Sequence, residues 1–322
     1  MGLRAINNPN SSFEDPYAST GTEAWDVWRF VGWYGTRGTF AAGYGVGGGV
    51  KNVIGYITIA TTGNAQDFGD TQQTKFGCAG ASNGSRGVIA GGYAGSTQLN
   101  EIGYITFATI GNATDFGDLT WTRRYLGSLS NGKRGVFGGG LHDSSSLNTI
   151  DYITIATTGN AAAFGDLLEG TKELGGAANL TLGVFAGGND GSYENQMQYV
   201  TVDTLGNSID FGDLTISVTG VAGMSSAGGR GVFAGGWVGG NTNVIQYITI
   251  STPGNATDFG DLTTATEFAA ACTDGERGVI GGGTQSSVTN VIEYITVASP
   301  GNATDFGDLL ESRGYMACSS GT

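Results

Sequence analysis

The sequence predicts an all-β fold: a six-bladed β-propeller of kindred four-stranded blades, with an extended N-terminal arm. Three observations carry that expectation. A short block recurs six times, as DFGD at 67–70, 115–118, 210–213, 258–261 and 305–308 and as AFGD at 163–166. Its companions recur with it: Gly-Asn begins at 63, 111, 159, 206, 254 and 301, and Arg-Gly at 37, 86, 134, 230 and 277, with Leu182-Gly183 in the fourth copy. Successive copies therefore start 47 to 49 residues apart. Each copy, finally, holds four short strand candidates. Units of this size cannot bury a core alone and must stack on one another. Four strands repeated radially form a propeller, which leaves only short edges.

Taken in chain order, residues 1–24 hold two of the four prolines and show no periodicity, so they read as an extended arm. The next stretch, WDVWRFVGWY at 25–34, carries three of the five tryptophans. Trp25, Trp28, Phe30, Trp33 and Tyr34 offer more apolar surface than a polar arm hides, and two readings stay open. The stretch is either a strand packed on the propeller or an anchor for another subunit. The expected division is 1–36 as arm and anchor, and 37–322 as propeller.

Within a repeat the third strand is the plainest: NVIEYITV at 290–297 and NTIDYITI at 148–155 are β-branched and aromatic with tight bounds. The second strand, such as GVFAGG at 231–236, ends in a glycine pair where the backbone turns or passes close to a neighbour. DFGDL is the fourth. The first is built from small residues, as in FGCAGAS at 76–82, YLGSLSN at 125–131 and FAAACTD at 268–274, which suits an innermost strand crowded round an axis. Turns such as SNGKRG at 130–135 join it to the second. Two segments compete to close the ring. The C-terminal SRGYMACSSGT, 312–322, matches a first strand and is preferred; residues 25–34 are the rival.

The glycine pair on the second strand, a tyrosine on the third and an aromatic on the fourth resemble kelch repeats, here Gly235, Gly236, Tyr247 and Phe259. The fourth-strand aromatic is Phe where that family usually has Trp. The resemblance covers residues 37 to 322. The ITIATTGNATDFGDLT wording and the NNPNSSFEDPYASTGTEA arm also look like tail and appendage proteins of marine bacteriophages. This resemblance implies a virion structural protein present in many copies, joined to other virion proteins through its arm and meeting a host-surface glycan or protein. The alternatives are an intracellular, cytoplasmic kelch-type interaction module and a glycan-active propeller enzyme.

Bulk properties narrow the classes. A net charge of −14 argues against nucleic acid, since phosphate contact needs clustered Lys and Arg. No apolar run reaches the roughly 18 residues of a membrane span. Sixty glycines without a Gly-X-Y period exclude collagen, and three cysteines give no disulfide framework. Cys78, Cys272 and Cys318 all fall in first strands and read as small buried hydrophobes. With one histidine, no histidine-based metal cluster can form, and neither a metal nor a cofactor nor a catalytic residue is expected. Asp-Phe-Gly without partner motifs is structural rather than kinase-like. Its Phe is expected between blades, with the nearby Asn and Asp capping turn amides. The repeated Arg is expected to pair with carboxylates or carbonyls of its own or the next blade.

Variation is confined to one side. The first-to-second and third-to-fourth turns share one face and repeat; the second-to-third and fourth-to-first loops share the other. That second face carries YAGSTQ at 93–98, LHDSSS at 141–146, NDGSYEN at 189–195 and WVGGNT at 237–242. Tyr93, His142, Asp143, Asp190, Tyr193 and Trp237 are the binding candidates there, on loops held by a rigid scaffold.

Overall fold

The computed structural model describes residues 34–322. Trp25, Trp28, Phe30 and Trp33 lie outside the described residues. Six antiparallel sheets surround one axis. The first blade joins the C-terminal strand Ala317–Gly321 to Arg37–Gly45, Val50–Thr58 and Gln66–Asp70. The second blade begins with Ala79–Ser82 and ends with Thr114–Asp118. The third runs from Gly127–Ser130 to Ala162–Asp166, and the fourth from Gly175–Ala178 to Ile209–Asp213. The fifth and sixth begin with Ala222–Ser225 and Ala270–Thr273 and end with Thr257–Asp261 and Thr304–Asp308. The ring is joined by its C-terminal segment, with Arg37 opposite Gly321, Thr39 opposite Ser319 and Ala41 opposite Ala317.

The DFGD block makes the outer strand because it builds a bulge. In the fifth blade Gln246 pairs with Asp258 and Ile245 with Gly260, so Phe259 is an extra residue on its strand. The bulge drives the ring inward, where Phe259 is 2% exposed against Tyr247, edge-on at 5.9 Å. A side chain on the following glycine has no room. A Cβ at Gly260 would lie 2.5 Å from the carbonyl oxygen of Gly301 in the next blade.

Each of these phenylalanines packs into a core shared by two blades. Phe306 of the sixth blade lies with Phe40, Ile57 and Ile59 of the first, and Phe116 of the second with Phe137, Ile153 and Ile155 of the third. Burying one such ring is worth about 1.5–3 kcal/mol, so the six seams carry much of the stability.

Polar latches close the same seams. The Asn of each Gly-Asn pair accepts from the second Asp backbone N–H of the preceding blade: Asp70 to Asn112 at 3.0 Å, and, across the ring junction, Asp308 to Asn64 at 3.1 Å. The Asn thus caps an amide as expected, and that amide belongs to the neighbouring blade. The first Asp of the block, as at Asp67 and Asp258, is exposed. The repeated Arg likewise reaches forward to a backbone carbonyl. Arg86 donates to Ile155 at 3.0 Å, Arg134 to Val202 at 3.0 Å, Arg230 to Val297 at 2.8 Å, and Arg37 to Phe107. Arg277 closes the circle onto Ile59 at 3.1 Å. Each guanidinium also lies over the tyrosine of its own blade, as Arg86 does over Tyr104 at 4.2 Å.

Among the described residues one ion pair is fully internal. Arg123 donates to Asp151 at 2.8 Å, and both side chains are 0% exposed. Its Nη1 reaches the carbonyls of Gly139 and Thr149, its Nε has no partner among the described residues, and Thr120 donates to Asp151. Such a pair survives burial because nearly every lone pair and proton is used.

Candidate binding face at the propeller axis

The innermost strands converge until their backbones touch. A Cβ at Gly176 would sit 2.0 Å from the carbonyl oxygen of Ser128, and one at Gly80 2.3 Å from that of Cys318. They enclose an axial channel of about 190 Å³. Half-buried channel positions include Gly80, Ser128 and Cys318. The thiols of Cys78 and Cys318 are pushed up by burial, which keeps them protonated. Tyr34 also lines the channel, at the end formed by the uniform turns, with its ring against Gly275. Burial pushes its hydroxyl pKa up.

At the variable face the axis is crossed by a closed ring of backbone hydrogen bonds. Gly77 donates to Tyr315, Tyr315 to Phe268, Phe268 to Gly220, Gly220 to Glu173, Glu173 to Tyr125, and Tyr125 back to Gly77, at 2.7–3.0 Å. All six residues, one from each blade, have positive φ between 52° and 66°. For Tyr, Glu and Phe that conformation is uncommon, and here the ring of bonds enforces it. The two glycines make room as well as turning. A Cβ at Gly220 would lie 2.6 Å from the Phe268 ring, and one at Gly77 2.8 Å from that of Tyr125.

The side chains of this ring and its neighbours form an aromatic platform. Phe268 and Tyr315 stack at 4.1 Å with 21° between planes. Tyr125 lies 5.7 Å from Tyr315, and Phe76 lies 6.0 Å from Tyr315 and 5.6 Å from Tyr93. All five rings are half-buried. Arg124 lies over Tyr93 at 4.4 Å and over Tyr125 at 5.0 Å. Glu173 and Glu267 add two carboxylates, and the Thr219 hydroxyl donates to Glu173 at 2.7 Å. Burial, with the charge of Glu173 added, pushes the Glu267 carboxyl up to about 7. Burial also pushes the Tyr125 and Tyr315 hydroxyls up.

The residues singled out from the sequence divide around this platform. Tyr93 belongs to it. Trp237 and Tyr193 come together, the indole N–H donating to the tyrosine oxygen at 2.9 Å. His142 packs edge-on to Trp121 at 5.2 Å, and its Nδ1 lies 2.7 Å from the Thr122 carbonyl, so this loop histidine is held in place. The Asp143 backbone N–H donates to Gln98 at 2.9 Å, tying adjacent loops. Asp190 is held below the usual carboxylate range, chiefly by the Ser192 backbone N–H at 3.0 Å. The residues missed were Phe76, Tyr125, Phe268 and Tyr315, although three of them open the small-residue stretches read as first strands. Among the described residues no group of three or more His, Cys, Asp or Glu is placed to hold a metal.

Fold and face together define a closed β-propeller that displays variable loops round an aromatic axis. Neither the protein-family models nor the curated proteins compared with this sequence match it.

Proposed function

We propose that this protein is a non-enzymatic structural and binding component of a virion, a tail or appendage part in which the propeller is the recognition or assembly module. The observation that carries the reading is the contrast between the faces. Six seams repeat the same Asn latch and five of them the Arg latch, while the loops around the axial platform differ in every blade. Rigid scaffolds with diversified loops on one face are suited to recognition. The resemblance of the repeats to kelch-like blades, and of the wording and the arm to phage tail proteins, supports placement in a virion. Residues 1–36 are then the attachment arm.

Deletion of residues 1–30 tests this. The expected product is a folded propeller, with an unchanged far-ultraviolet spectrum and cooperative melt, that no longer enters particles. Incorporation at the full-length level would refute the arm's role. An intracellular interaction module would instead remain monomeric and unassociated with particles, and a glycan-active enzyme would release sugar from polysaccharide substrates.

A further inference from the structure

The axial platform has a cationic end and an anionic end. At the cationic end, Arg124 lies on Tyr93 and Tyr125. The other end pairs the Phe268–Tyr315 stack with the carboxylates of Glu173 and Glu267. Among the described residues Glu267 receives no side-chain or backbone donor at its carboxylate, and Glu173 receives only the Thr219 hydroxyl. Two carboxylates beside aromatic rings lack the positive charge that would complete them.

We propose that this end of the platform docks a protein partner through an arginine side chain, its guanidinium lying on the Tyr315–Phe268 stack and donating to Glu267 and Glu173. The chemistry selects the occupant. An anionic glycan is repelled by both carboxylates, and a neutral sugar leaves their charge uncompensated. An ammonium group compensates charge without offering a flat face, whereas guanidinium does both, with a fork of donors that matches carboxylates. The same platform shows the stacking half of that contact in Arg124. Aromatic residues and arginine are also what protein interfaces concentrate at their centres. The proposal rests on reading the variable face as the binding face, and it is tested without particles, so the two fail separately.

The probe is the capped tripeptide acetyl-Gly-Arg-Gly-amide, titrated into the full-length soluble protein and followed by tyrosine fluorescence and by NMR. Its citrulline and lysine counterparts and a neutral methyl glycoside serve as comparisons. Saturable binding of the arginine peptide is expected, with the lysine peptide weaker and the citrulline peptide and glycoside silent. Glu267→Gln should weaken the arginine peptide about fivefold, the scale of a partly exposed charge pair. Asp305→Asn, on an exposed outer strand, should leave it unchanged. Equal binding of the citrulline peptide, binding of the glycoside in place of the arginine peptide, or an unaltered affinity in Glu267→Gln would each overturn the proposal.

Discussion

The interblade arginines allow a reciprocal test, because the fourth copy lacks one. Arg134 crosses from the third blade to the Val202 carbonyl of the fourth at 3.0 Å and lies over Tyr152 at 4.5 Å. Leu182 occupies the same place at the seam between the fourth and fifth blades. Arg134→Leu loses a hydrogen bond from a charged donor, worth about 1.5–3 kcal/mol, and a stacked cation, worth about 0.5–1 kcal/mol. Leucine returns part of this through apolar contact, and the half-exposed guanidinium keeps the bond at the low end. A net loss of about 2 kcal/mol follows, or a fall in Tm of about 4 °C for a domain this large. Leu182→Arg should move the other way, by about 1 kcal/mol and about 2 °C, since Tyr199 supplies a ring in the equivalent place. Differential scanning calorimetry at one scan rate, with exposed Lys133→Leu controlling for the lost charge, separates the latch from net charge. Hydrogen exchange should slow at the fourth-to-fifth seam in Leu182→Arg. An Arg134→Leu protein as stable as Lys133→Leu, or a Leu182→Arg protein less stable than its parent, would refute the latch.

Three further outcomes are expected. Asp151→Leu leaves the Arg123 charge buried alone, and urea titration should show a loss of about 3–5 kcal/mol. Gly176→Ala drives a methyl group into the Ser128 carbonyl and should cost about 1–3 kcal/mol by the same measurement. Glu267, with a folded pKa of about 7, binds its proton more tightly folded than unfolded. Its stabilising share is complete below the unfolded value and is lost as pH rises toward 7 and above. Discounted for its exposure, the span is about 1 kcal/mol, and Glu267→Gln should remove that slope from a pH series of urea midpoints.

The blade architecture was legible because its determinants repeat: the bulge fixes Phe and Gly in every copy, and the crowded axis fixes small residues. What the latches join was not legible. A period says that Asn112 and Asn64 are equivalent, but not that each serves the blade before it. The axial platform was hidden for a different reason. Its six left-handed positions hold Gly, Tyr, Glu, Gly, Phe and Tyr, and only glycine announces that conformation in a sequence. The backbone ring, rather than residue preference, imposes it on the other four. The Arg123–Asp151 pair was equally silent, because Asp151 stands where other copies have Gly, Gln or Glu.

Placement in a virion is the central claim, and co-sedimentation tests it most directly. Particles from cells producing this chain are banded on a density gradient, and the chain is quantified against a major particle protein by mass spectrometry. The account predicts that the chain bands with the particles at a fixed ratio of several copies each. A chain found wholly at the top of the gradient as a free monomer would contradict it.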